Sequence, residues 1–454
     1  MPSRKRSIKK HLWNSTIIIK EKERKILYIK VPKGTQDVLP ENISKWYYIE
    51  GIIKEILNKY GYKEIRTPFF EYTDLFVRGI GESTDIVTKE MFTFPDRKGR
   101  SLTLRPEGTA PVVRAYLENR MDRISKVVKL FYLGPMFRCE KPQAGRFRQF
   151  NQFGIEIIGT KSSAADAEVI ITILEVYKKL GLKNIETAIN SVGCKKCRTK
   201  YIQKLKKYLK NKKDFLCAEC KERYIKNPLR VLDCKKDSCK KIIEEAPLIT
   251  ENLCQECELH FAEVKSYLND QKIIFHEDPR LVRGLDYYTK TAFEIISGEL
   301  GAQNAIGGGG RYDDLVEELG GKPTPAVGFA AGIERMIIAM DQQNIEWPLK
   351  EELVIFVATV NEKTQERAFR LLQKIRNTGL SADMDYSGGS LKSQMRIANK
   401  IGARYTVIVG EEELSKNMVI LRNMKTKEQK EVKIDNIINE LGLSGRRLSG
   451  GRFY

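Results

Sequence analysis

A chain of 454 residues is long enough for two or three domains, each with its own core. With 41% hydrophobic and 31% charged residues, no run of about 18 uncharged apolar residues and no apolar signal-peptide segment, disorder, membrane insertion and secretion are excluded as expectations, leaving a cytosolic protein. Lys and Arg number 80 against 59 Asp and Glu, a formal charge of +21 that points to a polyanionic partner.

Residues 1–30 read as a basic N-terminal extension, in which "IIIKEKERKILYIK" is either a strand or the product of an upstream start site. After Pro40 the spacing of Trp46, Ile49, Ile52, Ile53 and Ile56 predicts a helix that stops at Gly61. "YKEIRTPFF" predicts a strand ended by Pro68, and "LTLRPEGTAPVVRAYLEN" a strand leading into a helix. "KVVKLFYLGPMFRCE" and "FRQFNQFGIEIIG" predict two strands joined by a "KPQAG" loop. An amphipathic helix over 164–180 and a strand at "IETAINSVG" follow.

A cysteine-rich segment then interrupts the pattern. Strand character resumes through "KIIFHEDPRLVRGLDYYTKTAFEII", then "AIGGGGRYDDL" and "AVGFAAGIERMIIAM", which together describe an antiparallel α+β body with an insertion. Beyond Trp347 and Pro348, "LVIFVATV", a helix through Ala368, Leu371, Leu372 and Ile375, "SADMDY", a helix at 390–401 and "YTVIVG" alternate, predicting a separate α/β unit with a parallel sheet. Residues 442–454 read as a flexible basic tail.

Phosphate-binding signatures of the GxxxxGK[ST] and GxGxxG kinds are absent. "GGGG" at 307–310 alone reads as a turn or bulge, and its neighbours Arg311 and Asp313 tilt it toward a binding role. Arg138, Arg146, Arg283 and Arg335 each sit in or beside an apolar strand or helix, where a guanidinium needs a charged partner. Taken singly each reads as a surface ion pair; four of them from three separated segments suit a polyphosphate, which arginine grips in bidentate fashion. Phe150 is either a base-stacking ring or a core phenylalanine. Glu107 and Glu156, in apolar surroundings, either pair with an arginine or recognise a cationic group such as an amine. With only His11, His260 and His276 in the chain, a histidine-based triad is not expected.

These stretches resemble the class II aminoacyl-tRNA synthetases, and within them the histidyl-tRNA synthetase family. "RTPFFEY" resembles motif 1, "GPMFRCEKPQAGRFRQFNQFGIE" motif 2 and "AVGFAAGIERM" motif 3; "LVRGLDYYT" and "GGGGRYDDL" resemble the two signatures specific to the histidine enzymes. The likeness covers roughly residues 31–440. It implies an antiparallel-sheet catalytic domain over 31–190 and 271–345, a Cys-rich insertion over 191–270 and an α/β anticodon-binding domain over 350–441. It also implies formation of histidyl-adenylate from ATP with Mg2+, transfer to the 3′ end of the tRNA for histidine, and a homodimer through the catalytic domain. Residue by residue it assigns Arg138 and Arg283 to catalysis at the α-phosphate. Arg138, Glu140, Arg146, Phe150 and Arg335 fall to ATP; Glu107, Gly108, Thr109, Arg138, Gln152, Glu156, Arg283, Tyr287 and Tyr288 fall to histidine. Cys139 and Lys141 vary the motif 2 stretch without touching its charged positions.

Eight of nine cysteines form four close pairs: Cys194 and Cys197, Cys217 and Cys220, Cys234 and Cys239, Cys254 and Cys257. Stable disulfides are not expected in the cytosol, and the pairs suit two structural zinc sites of four thiolates each, the first two pairs having the spacing of a ribbon-type site. Residues 194–213 hold ten Lys and Arg and no acid, so the insertion is expected against the tRNA acceptor arm, its deletion weakening tRNA charging while sparing adenylate formation. Two rival functions fit the sequence less well. A regulatory subunit of ATP phosphoribosyltransferase would lack the anticodon-binding domain, and an inactive zinc-dependent nucleic-acid-binding module would leave the arginines and glutamates unexplained.

Overall fold

In the computed structural model, residues 29–141, 145–298, 304–348 and 355–441 are described; nearly all of the N-terminal extension, the tip of the KPQAG loop and the tail at 442–454 lie outside them. Helix α1 (Pro40–Lys59) starts on a proline, whose missing N–H is unneeded there, and buries Trp46, Ile49, Ile52, Ile53 and Ile56. Gly61, at φ +77°, ends it in the left-handed conformation that a side chain resists.

The expected "YKEIRTPFF" strand divides into β1 (Lys63–Glu64) and β2 (Phe70–Tyr72). Pro68 has no N–H to give, and the Thr67 carbonyl is taken by Arg105 Nη1 at 3.0 Å, so neither can join a ladder. Helix α2 (Thr73–Ile80), β3 (Phe92–Pro95), β4 (Ser101–Leu104) and α3 (Thr109–Glu118) follow, with β2, β4 and β3 forming a small sheet. Next come β5 (Val128–Phe137), β6 (Gln149–Ile158), α4 (Ser163–Lys179) and β7 (Ile185–Ser191).

The insertion consists of α5 (Lys195–Lys210), α6 (Ala218–Lys226), α7 (Asp237–Glu244) and α8 (Gln255–Asp270). Tyr201, Leu205, Leu209, Ile242 and Ile243 give α5 to α7 a small core of their own, whereas Phe261, Val264 and Leu268 of α8 join the main core. Then β8 (His276–Glu277), β9 (Thr289–Ser297), β10 (Ala305–Arg311), α9 (Leu315–Glu318), β11 (Ala326–Gly332) and α10 (Ile333–Gln342) close the first unit. Where the sequence reads as continuous strand from Lys272 onward, residues 278–288 form a loop. Two of its backbone carbonyls are taken by side chains: Asn190 donates to Leu281 O at 2.9 Å and Arg198 to Tyr288 O at 2.9 Å.

The large sheet has eight strands in the order β1-β5-β6-β11-β10-β9-β7-β8, antiparallel except at its two edges. Its two faces do different work. Phe131, Phe153, Ile155 and Ile157 meet α1, α4, α8 and α10 in the main core. Tyr132, Met136, Ile158, Tyr288 and Tyr312 make a second cluster with α3 on the opposite face. The antiparallel α+β body expected from the sequence is therefore present.

A second compact unit begins at Pro348. It contains β12 (Ile355–Thr359), α11 (Gln365–Arg376), β13 (Ala382–Met384), α12 (Leu391–Lys400), β14 (Tyr405–Val409), α13 (Glu411–Ser415), β15 (Met418–Asn423), β16 (Gln429–Lys433) and α14 (Ile437–Glu440). Its sheet is mixed rather than parallel: β13-β12-β14 are parallel, while β14-β15-β16 run antiparallel. The short connections after β14 allow a meander, whereas a parallel return needs a crossover of a dozen residues or so. No helix among the described residues is long and apolar enough to cross a membrane.

Candidate active site

Strand alternation puts Phe150, Gln152, Gly154 and Glu156 of β6 on the second face of the sheet. Side chains lie flat there because glycines leave room. Gly328 stands across from Glu156, and a Cβ on it would fall 1.9 Å from Glu156 Oε2. Gly308 stands across from Glu294, and a Cβ there would fall 2.7 Å from the Arg283 guanidinium.

Over this floor opens a cavity of about 270 Å³ lined by Glu107, Thr109, Arg138, Glu140, Arg146, Phe150, Gln152, Arg283, Tyr287, Tyr288 and Arg335. Nearly every site residue read from the sequence thus converges on one space. Gly108 and Glu156 do not line it. Gly108 lets the Tyr132 ring close in, since a Cβ would meet that ring at 2.3 Å. Glu156 sits one layer behind the wall, fully buried, its Oε1 accepting from Thr109 Oγ1 at 2.8 Å and its Oε2 from the Tyr312 hydroxyl.

Burial holds the Glu156 carboxyl well above the usual carboxylate range. Glu107 is nearly as enclosed and accepts from the backbone N–H groups of Thr109 (2.7 Å) and Ala110 (2.8 Å). It thereby caps α3 at the end whose unpaired N–H groups favour an anion. Burial still raises its carboxyl, against the pull of those donors.

The other end of the cavity is cationic. Arg138 donates through Nε to Pro106 O at 2.9 Å and lies 5.4 Å above the Phe150 ring. Glu140 takes Arg146 Nη1 at 2.8 Å, with Arg138 Nη1 3.7 Å away. Arg335, on the first turn of α10, donates to the carbonyls of Gly145 and Ala305. Burial together with nearby Arg146 and Arg138 lowers its pKa below the usual guanidinium value, a sign of concentrated positive potential. Between the two ends lies Arg283, paired through Nη1 with Glu294 at 2.6 Å. Its Nε and Gln152 Oε1 are buried without a partner among the described residues, as expected where a polar ligand completes the wall.

Arg311 and Asp313 play no part in this wall. Arg311 is fully buried in an ion pair with Asp166 and accompanies Asp313 at 3.1 Å on the far side of the strand. Tyr312 faces the cavity instead. The two-residue alternation from Gly308 and Gly310 carries that signal, and the charge of its neighbours draws attention away from it. Glu294 and Glu334 were also missed. Alternation along "KTAFEIIS" places Glu294 over Gly308, while Glu334 adjoins Arg335 and accepts from Asn151 N at 2.8 Å.

The eight paired cysteines form two groups, each with its sulfurs within 4.8 Å of one another: Cys194, Cys197, Cys254 and Cys257, and Cys217, Cys220, Cys234 and Cys239. The pairing is nested, first with fourth and second with third, rather than the first two pairs together. Helix α8 brings the last pair back to the root of the insertion. Sulfur separations of 3.6 Å (Cys194–Cys197) and 3.9 Å (Cys217–Cys234) compare with the ~3.8 Å edge of a zinc tetrahedron with ~2.3 Å bonds. The Cys257 backbone N–H helps draw the Cys254 thiol down to about 7.

Residues 34–336 match the family model for histidyl-tRNA synthetase, and residues 354–442 match that for an anticodon binding domain. A histidine–tRNA ligase of Halothermothrix orenii is 52% identical over 413 residues, covering 91% of this chain and 99% of its own. One from Caldanaerobacter subterraneus subsp. tengcongensis is 53% identical over 408 residues, covering 90% and 98%. The crystal structure of apo S. aureus histidyl-tRNA synthetase superposes with a TM-score of 0.77 at 40% identity, over 91% of this chain and 99% of that one. With the family matched across both units and the motif residues gathered around one cavity, the chain belongs to the histidyl-tRNA synthetase family.

Proposed function

We propose that this chain joins L-histidine to the 3′ end of its cognate tRNA in two steps. Histidine's carboxylate attacks the α-phosphate of ATP, forming the acyl–phosphate bond of histidyl-adenylate as pyrophosphate departs. A terminal ribose hydroxyl then takes the acyl group and AMP leaves. The observation that carries this reading is the convergence of Arg138, Arg146, Arg283 and Arg335 on a cavity backed by Glu107 and Glu156.

Arg138 and Arg283 stand where charge grows on the α-phosphate, and Arg146 and Arg335 hold the far end of the triphosphate. Phe150 stacks on adenine. Pre-placed donors of this kind carry most of the rate when there is little proton chemistry to perform. Thr109, Gln152, Tyr287, Tyr288 and Tyr312 surround histidine, with Glu107 facing its ammonium and Glu156 holding the Thr109 and Tyr312 hydroxyls from behind. Glu140 and Glu334, both lining the cavity, fit Mg2+ as oxygen donors. That ion takes one or two carboxylates and otherwise phosphate and water, and when bound it would neutralise phosphate charge.

The regulatory-subunit reading is disfavoured by the matched anticodon-binding unit and by the intact arginines. A homodimer is supported by Phe69, Phe70 and Tyr72, which are 54%, 51% and 52% exposed around the motif 1 proline. The two thiol groups fit two structural zinc ions. The solvent face of α5, with Lys200, Lys204 and Lys207 exposed, suits the acceptor arm of tRNA. Pyrophosphate exchange into ATP, run with each amino acid in turn, tests the whole reading. Histidine alone should drive it; exchange driven by a different amino acid would overturn the assignment.

A further inference from the structure

We propose that the cysteine-rich insertion is a metal-held clamp that positions the loop carrying Arg283, Tyr287 and Tyr288. This rests on the reading of that cavity as the histidine site. The loop and the start of β9 after it are held by groups of the insertion, several of them next to thiols in sequence. Arg198, next to Cys197, donates through Nη1 to the carbonyls of Asp286 (3.2 Å) and Tyr288 (2.9 Å). Asn227, between Cys220 and Cys234, donates to Asp286 Oδ1 at 2.8 Å. Gly193, next to Cys194, accepts from Lys290 N at 3.0 Å, and Glu256, between Cys254 and Cys257, takes Lys290 Nζ at 2.8 Å. Arg280 Nε, at the start of the loop, reaches Ile243 O of α7 at 2.8 Å.

A second strut runs parallel to this one. Arg223 and Arg230, which flank Asn227, both bind Asp85 Oδ2, at 3.0 and 2.7 Å. Ser83, two residues before Asp85, donates to Asp286 Oδ2 at 3.0 Å. The Asp286 carboxylate therefore lies between the insertion and the 83–85 segment, immediately before the two tyrosines of the cavity. The helices that carry these donors share only a small core, and four-thiolate sites supply the cross-links that a core of that size lacks.

The insertion therefore acts on histidine binding and, through Arg283, on turnover, by way of positioning residues of which Arg198 and Asn227 are foremost. ATP's own arginines, Arg138, Arg146 and Arg335, lie just past β5, in the 138–148 segment and on α10, outside the insertion and outside the loop it holds. The test is pyrophosphate exchange by full-length Arg198→Ala and Asn227→Ala, with zinc content measured on the same preparations. The expected result is a KM for histidine raised on the order of 10-fold, with the KM for ATP at its wild-type value, both metal sites filled and Arg198→Lys restoring part of the loss. The double variant Cys217→Ser, Cys239→Ser should lose one zinc and show the same shift confined to histidine. Unchanged histidine KM in Arg198→Ala and Asn227→Ala, or both KM values rising together, would overturn the clamp. Wild-type protein isolated without zinc would overturn the metal component alone. Absence of histidine-driven exchange in the wild type would instead refute the functional reading beneath both.

Discussion

At one end of the cavity Arg138, Glu140 and Arg146 keep 22%, 14% and 41% of their side-chain surface in solvent; at the other, Glu107 and Glu156 keep 4% and 0% of their residue surface. The open end is made of guanidinium groups already paired with a carboxylate, which can exchange that partner for phosphate at small cost because water screens the transition. The closed end is a hydroxyl and carboxylate network, Tyr312–Glu156–Thr109, in which each buried oxygen is matched. A ligand that fails to satisfy the remaining polar groups leaves them unpaired at about 1–3 kcal/mol each. Affinity for a common nucleotide can be loose and adaptable. Selection of one amino acid cannot, and the difference in burial follows that division.

The largest effect is expected beneath the closed end. Arg311→Ala strands Asp166 in the core and should lower stability by about 3–5 kcal/mol in denaturant titration, marking this arginine as structural. Burial alone would raise the Asp166 carboxyl, but Arg311 and His260 outweigh it and hold it below the usual range. A depressed folded value means the contribution is complete above the ordinary carboxyl pKa and lost as pH falls through the folded one. Acid unfolding of the wild type should therefore be steeper than that of Arg311→Ala.

At the junction of the two ends, Arg283→Ala should lower turnover in pyrophosphate exchange by ~10²-fold or more, since one donor to the developing charge is lost. Tyr312→Phe removes the donor to Glu156 Oε2 without changing shape; an unpaired buried oxygen predicts a histidine KM raised on the order of 10-fold. The smallest effect belongs to the open end. Phe150→Ala, losing one stacking surface for adenine, should raise the KM for ATP by roughly 5-fold, equivalent to about 1 kcal/mol.

This asymmetry also governed what the sequence disclosed. The open end and the junction are built from arginines whose charge stands out in apolar segments, so Arg138, Arg146, Arg283 and Arg335 could be singled out from residue order alone. Tyr312, Glu294 and Glu334 could not be singled out by charge contrast. Their importance comes from which face of a strand they occupy and from glycines across the sheet, and alternation was the available clue. In "GGGGRYDDL" charge misled, for Arg311 belongs to the core and the tyrosine beside it to the cavity. Helix α1 was legible from end to end because proline, apolar spacing and Gly61 agree. The strand expected over "YKEIRTPFF" divides in two because Pro68 lacks an N–H and the Arg105 side chain, distant in sequence, takes the Thr67 carbonyl. The nested cysteine pairing depends on where α8 returns, a tertiary fact that spacing does not encode. The same return changes the test of the basic helix. Deleting the insertion would also remove the supports of the 278–288 loop, so replacing Lys200, Lys204 and Lys207 is the cleaner probe of tRNA contact.

The division of the cavity is tested most directly by Michaelis constants for both substrates, measured in pyrophosphate exchange with Arg335→Ala and Tyr312→Phe side by side. The expected result is a crossed pattern: Arg335→Ala raises the KM for ATP and leaves that for histidine, and Tyr312→Phe does the reverse. Equal rises in both constants for both variants would contradict the account, leaving a single undivided pocket in place of two specialised ends.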